Sequence, residues 1–198
     1  MLIEDLKRFK DEVVKKAEDF SFISAFETGC AEFSRVMWSK GVGISFIPYE
    51  LELSGVKPCK LTVKEPASKK SINKYYYMGE RLKKVDIYNA KGEVHGFEYF
   101  IYDEGRVYSL KMNRHGERLW LKVIDIEQGE VRKACRVDFD SEFWTLGYDW
   151  NKGRLQEILT FSSNSLPGIK IYPVFEAGNL VGLFSLCGEE RIYVYDER

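Results

Sequence analysis

The chain has 198 residues and a mass of 23.1 kDa, 44% of it hydrophobic and 31% charged, which is the make-up of one globular domain able to bury a core without disulfides or a structural metal. Lys plus Arg (30) nearly cancels Asp plus Glu (31), leaving a net charge of −1 and no global drive toward nucleic acid or an anionic membrane. No apolar run approaches the ~20 residues a bilayer span needs, and the charge-interleaved first twenty residues lack the apolar centre of a secretory signal, so a cytoplasmic protein is expected.

Residues 1–41 read as a helical part. Leu2, Leu6, Phe9, Val13, Ala17 and Phe20 recur at intervals of three and four, which stacks them on one stripe of a helix. Phe22, Phe26, Cys30, Phe33 and Met37 repeat that spacing, predicting a second helix over 21–40 with Ser21 at its start and Gly41 past its end. Residues 42–74 read as strands and a lysine-rich loop. Ile44 to Leu53 alternates as one or two strands broken at Pro48, and Lys57 to Lys74 holds six lysines against the single acid Glu65. With no aromatic residue inside that lysine run to stack on bases, a solvated loop is expected ahead of an RNA contact.

Over residues 75–198 glycines recur roughly every twelve positions where short apolar segments end. Several of the turns share one chemistry, as in Asn89-Ala90-Lys91-Gly92, Asp103-Glu104-Gly105, Asn113-Arg114-His115-Gly116 and Asp149-Trp150-Asn151-Lys152-Gly153. Asn or Asp bonds its own backbone to begin the turn, and glycine takes the positive φ that closes it. Connections so short join only antiparallel neighbours. The expectation is a single α+β domain with N-terminal helices packed on an antiparallel meander of about nine to eleven strands. Val85 and Ile87, then Phe97, Tyr99 and Ile101, then Tyr108, Leu110 and Met112, are read as one apolar face that the helices cover.

On the opposite face of the middle strands the pattern sets Lys111, Trp120, Lys122, Arg132 and Arg136, a large aromatic among cations, and these residues with Trp150 are the candidate partner-binding set. Catalytic candidates are few. His95 reads as a strand residue and His115 as a turn residue, and no HExxH, GxSxG or phosphate-binding glycine loop is found. Asp138, Asp140, Glu142 and Asp149 could supply a carboxylate pair, but two turns explain them as well. The runs Tyr75-Tyr76-Tyr77 and Trp144 to Trp150 would suit sugar stacking. Cys30, Cys59, Cys135 and Cys187 are scattered without a CxxC, so reduced thiols are expected, and neither a metal nor a cofactor.

The segments Tyr102-Asp103-Glu104-Gly105-Arg106-Val107 and Tyr148-Asp149-Trp150-Asn151-Lys152-Gly153-Arg154-Leu155 resemble the YD repeats of Rhs-type proteins, with looser copies at Tyr88–Val94 and His115–Leu119. The resemblance covers roughly residues 75–161 and implies a meandering sheet; the chain is too short for the closed shell that such repeats build. A small chain of this kind also looks like the immunity proteins that accompany bacterial polymorphic or contact-dependent toxins. That resemblance implies a non-enzymatic protein that neutralises a protein partner by surface complementarity. A structural or adaptor role, or a carbohydrate-binding module, is the alternative, with a carboxylate enzyme behind both.

Overall fold

A computed structural model describes residues 1–26, 32–140, 142–164 and 167–197. Helix α1 (Ile3–Glu18) buries Leu6, Phe9, Val13 and Ala17, as the spacing predicts, while Leu2 and Phe20 at the ends of the stripe are each 70% exposed. The Asp5 carboxylate accepts from the Leu2 N–H (3.2 Å), and acids in the first turn with lysines in the last complement the helix dipole. Asp19, not Ser21, starts the next helix: its carboxylate accepts from the backbone N–H groups of Ser21 (3.1 Å) and Phe22 (3.2 Å).

That helix, α2 (Phe20–Ser24), is one turn long, which corrects the expected helix over 21–40. Residues 35–40 are a strand, β1 (Arg35–Lys40), paired antiparallel with β2 (Ile72–Met78) so that Val36 opposes Tyr76 and Trp38 opposes Lys74. β-favouring Val36 and Trp38 beside an available ladder outweigh a weak helical period. Cys30 lies outside the described residues.

The strands expected over 44–53 are also absent. After β1, Gly41 adopts φ +89 and turns the chain off the sheet edge. Residues 42–56 then run as an irregular strap holding the single turn α3 (Glu50–Leu53), whose backbone bonds are local, as from Leu53 N to Tyr49 O (2.8 Å).

From β2 the chain meanders through β3 (Arg81–Tyr88), β4 (Val94–Asp103), β5 (Arg106–Asn113), β6 (Arg118–Glu127), β7 (Glu130–Asp138), β8 (Phe143–Asn151), β9 (Arg154–Ser162), β10 (Ile169–Glu176), β11 (Asn179–Cys187) and β12 (Glu190–Asp196). The described residues form one antiparallel sheet of twelve strands in sequence order, more than the nine to eleven expected; β1 is the strand that the helical reading hid. The turn chemistry is as read at Asn89 and Asn113, whereas Asp149 lies within β8 opposite Glu157 and that hairpin turns at Lys152-Gly153, both with positive φ. Asn89 Oδ1 accepts from Lys91 N (2.8 Å) and Glu93 N (3.1 Å), and Asn113 Oδ1 repeats this with His115 N (2.9 Å) and Glu117 N (3.1 Å).

The sheet is apolar on both faces, not one. Val85 opposes Glu98 and Ile87 opposes Gly96, which puts Val85 and Ile87 on the face of Phe100 and away from Phe97, Tyr99 and Ile101. The outer face, with Tyr108, Leu110, Leu121, Val123 and Cys135, packs beneath α1 and α2. The inner face packs against the strap: Ile47 joins Ile124, Leu146, Ile158, Leu183 and Tyr195, while Ile44 and Phe46 lie against Tyr75, Val85 and Phe100.

One strap touching both ends of the sheet means that the sheet curls. Lys57 Nζ lies 3.0 Å from Glu197, just past β12, and Cys59 N donates to Val42 O (2.9 Å), just past β1. Flat, twelve strands would hold those edges roughly 50 Å apart, whereas residues 57–59 reach only about 7 Å. The outer edge of β1 is itself occupied by Thr62, which exchanges two backbone bonds with Trp38 (2.8 and 2.9 Å). No helix among the described residues is long and apolar enough to cross a membrane.

Candidate functional site

Register assembles the site. Glu98, Lys111, Trp120 and Asp138 lie directly opposite one another across β4 to β7, and Ser109, Lys122, Arg136 and Trp144 form the adjoining row across β5 to β8. Both rows point inward, toward the strap. Lys111, Trp120, Lys122 and Arg136 therefore come together as the sequence predicts, on the face turned away from α1. They are not, however, an open docking face, because the strap lies over them and Lys122 is only 7% exposed.

Between rows and strap is a cavity of about 210 Å³. Its charged lining is Glu50, Glu98, Lys111, Lys122 and Arg136, and Ile44, Phe46, Leu82, Val85 and Phe100 give it apolar walls. Glu50, from α3, accepts from Lys122 Nζ at 2.8 Å and from the Ser45 hydroxyl, so this buried pair has the further hydrogen bond that such pairs need. Arg136 grips Asp138 through Nε and an Nη (2.6 and 2.7 Å). Glu98 accepts from the Ser109 hydroxyl.

Trp120 lies among three cations: Lys111 Nζ is 4.0 Å, the Arg136 guanidinium 4.1 Å and Lys122 Nζ 5.2 Å from its ring. Among the described residues its buried indole Nε1 has no hydrogen-bond partner. Among the described residues Lys111 makes no ion pair, and burial lowers its pKa despite the opposing pull of Glu98.

The remaining candidates fall elsewhere. Arg132 pairs with Glu130 (3.0 Å). Trp150 stacks on Tyr148 at 6.3 Å and donates its indole N–H to Val131 O (2.8 Å), so it braces the wall. Asp138 is held by Arg136, while Asp140 and Asp149 are exposed. His95 is exposed at the start of β4, and His115 accepts from Arg114 Nε (3.0 Å) in its turn. No group of three His, Cys, Asp or Glu side chains that could hold a metal occurs among the described residues. Sequence reasoning missed Glu50 and Glu98. Glu98 alternates with Gly96 and Phe100 along β4, a signal that was present; Glu50 carries none, because it meets Lys122 across 72 positions.

A second surface stands out on the outer face. Among the described residues α3 meets β12 from the inner side, and helix α1 packs over β6 to β9 and stops short of the outer side of β10 to β12. There Tyr172 and Phe184 lie 5.6 Å apart, Phe184 and Tyr193 also 5.6 Å, and the Arg191 guanidinium stacks 4.6 Å over Phe184. Leu186 beside them is 53% exposed. No family model matches the chain, and comparison with curated proteins and with solved structures gives no match.

Proposed function

We propose that this chain is a non-enzymatic binding protein that occludes a protein partner, docking through the outer face of β10–β12. The observation that carries the reading is the Tyr172–Phe184–Tyr193 row with Arg191 laid over it, on the part of the outer face that α1 does not cover; Phe184 is buried at its centre, and Tyr172, Tyr193 and Arg191 are its accessible members. Tyr and Arg are the residue types that dominate binding energy at interface centres, and a sheet holds them rigid so that little ordering entropy is lost on docking. Three strands of about eight residues present roughly 14 × 27 Å. That is about half of the ~800 Å² a stable partner covers, so the row is the anchor and the partner extends past it onto the β12 edge.

The resemblance of the turns to YD repeats, and of the small chain to immunity proteins, supports a specific form of this reading: neutralisation of a bacterial toxin encoded beside it. The test is titration calorimetry with the purified product of the adjacent gene, alongside survival of cells expressing that product. The expected result is a complex and protection, with Tyr172→Ala/Tyr193→Ala and Arg191→Glu each weakening binding at least ten-fold and Arg132→Glu leaving it intact. Absence of both complex and protection overturns the toxin reading, and a dimer in light scattering that Arg191→Glu dissolves replaces it with a structural role.

A further inference from the structure

We propose that the outer face of β1–β4, with the lysine-rich loop along its edge, binds single-stranded RNA. This inference is independent of the β10–β12 docking face. The sequence sets no aromatic residue inside the lysine run, but the fold brings rings to it from the neighbouring strands.

Register sets the face. Trp38, Lys74, Asp86 and Phe97 lie directly opposite one another across β1 to β4, and Tyr76, Lys84 and Tyr99 form the adjoining row across β2 to β4. Both rows point outward, because the intervening Tyr75, Val85 and Phe100 fill the inner face. Helix α1 covers β6 to β9, and Phe97, unlike Tyr99 and Ile101, stands outside the cluster that the helices close. Cations and rings interleave there. Lys74 Nζ is 4.6 Å from the Tyr76 ring, Lys84 Nζ is 5.5 Å from Tyr76 and 4.7 Å from Phe97, and Lys69 Nζ is 5.9 Å from Tyr88. Tyr76, Tyr88 and Phe97 are half-buried, so each shows part of its ring to solvent. Asp86, the acid of these rows, is buried and answered by the Tyr76 hydroxyl and by Lys84 Nζ at 2.9 Å.

The edge supplies the charge. Lys57 pairs with Glu197 and Lys69 with Glu65, whereas Lys60, Lys64, Lys70 and Lys74, and Lys40 at the end of β1, form no ion pair among the described residues. Lys40, Lys60 and Lys70 line one groove of about 500 Å³ with no carboxylate in its walls. The loop is held in place: Thr62 exchanges its backbone bonds with Trp38 (2.8 and 2.9 Å), and Ser71 N donates to Asn89 O (2.9 Å). Like charges are thus kept together in advance, a repulsion that a polyanion relieves without first ordering the loop. Rings beside these cations favour a single strand, since a duplex hides its base faces and an acidic peptide leaves the rings idle. Thr62 and Ser68, also in the groove, each accept a main-chain N–H (from Lys64 at 3.2 Å and Lys70 at 3.4 Å) and keep a proton to donate, which a ribose 2′-hydroxyl accepts and deoxyribose cannot.

The probe is a fluorescein-labelled oligouridylate of twelve nucleotides, followed by anisotropy on the intact protein. A Kd below about 100 μM is expected at 50 mM salt, and log K should fall with log salt at a slope of about −3, the mark of about four phosphate contacts by a single strand. The triple variant Lys60→Ser/Lys64→Ser/Lys70→Ser changes only exposed side chains and should flatten that slope by about 2. Tyr88→Ser should weaken binding at least five-fold and leave the slope unchanged, because it removes stacking and no charge. Should Tyr88→Ser unfold, Phe97→Ser makes the same test from β4. Oligothymidylate of equal length is expected to bind at least three-fold more weakly, and polyglutamate to compete poorly. No binding at 1 mM protein, an unchanged slope in the lysine variant, or ring variants that bind as well as the parent would overturn the proposal. Equal affinity for the deoxy strand overturns the assignment to RNA, and polyglutamate competing as well as the oligouridylate replaces it with an acidic protein.

Discussion

Glu50 and Lys122 show how much one side chain in this interior depends on another. Both are more than nine-tenths buried, so removing the carboxylate strands an ammonium among Phe46, Phe100 and Trp120. Glu50→Ala is expected to cost about 3–5 kcal/mol in urea unfolding, and Glu50→Leu with Lys122→Met to return most of it, because an apolar pair carries no desolvation penalty. Cys135 offers a second check. Burial pushes its thiol up to about 12, with the Thr145 hydroxyl pulling slightly the other way. In the unfolded chain that thiol ionises near 9, so its contribution to stability is complete below about pH 9 and falls as pH climbs toward 12. At pH 8 an aromatic disulfide reagent should therefore modify exposed Cys187 within minutes and reach Cys135 only after unfolding. The sequence made the inward set Lys111, Trp120, Lys122 and Arg136 legible because strand alternation fixes which way a side chain points. It was silent on what they meet: that depends on where α3 comes to rest, and no local pattern encodes a contact spanning 72 positions.

At the scale of elements, periodicity was informative where one face alone is buried and misleading where the chain is enclosed. Helix α1 shows three- and four-residue spacing because one side meets β6–β9 and the other meets water. The hairpins were legible from Asn, Asp and Gly, which act within a single turn. Strand β1 was not, since Phe22, Phe26, Phe33 and Met37 mimic a helical stripe although a short helix, a connection and a strand share them. Phe9→Ala, at the centre of the α1 contact, is expected to lower stability by about 3–5 kcal/mol in thermal or urea unfolding. Two glycines separate backbone from side-chain crowding. A Cβ at Gly96 would stand 2.7 Å from Met112 O, within the β4–β5 ladder, whereas one at Gly147 would meet the flexible ends of Met1 and Leu6. Gly96→Ala should cost about 1–3 kcal/mol and Gly147→Ala less, measured by the same denaturation.

For the whole molecule the decisive feature is that the sheet curls around a piece of its own chain. Two of the readings that failed, strands over 44–53 and a single apolar face, share this cause: a strap inside the curl gives the inner face its own apolar partners, and its own residues alternate without joining a ladder. Lysines 57, 60, 64, 69 and 70 lie outside on an exposed loop, so brief trypsin treatment should cut there first. The resulting fragments should still elute together in size exclusion, because Ile47, Tyr148 and Pro48 hold the strap in place independently of the loop, with Tyr148 Oη donating to Pro48 O at 2.9 Å. Order of synthesis adds a consequence. The ribosome releases residues 42–56 before eleven of the twelve strands, so the filling exists before the wall that will surround it, and each new hairpin can be laid onto a nascent surface already waiting. Transplanting that stretch to the C-terminus by circular permutation would reverse the sequence of events, asking a finished shell to admit its own contents.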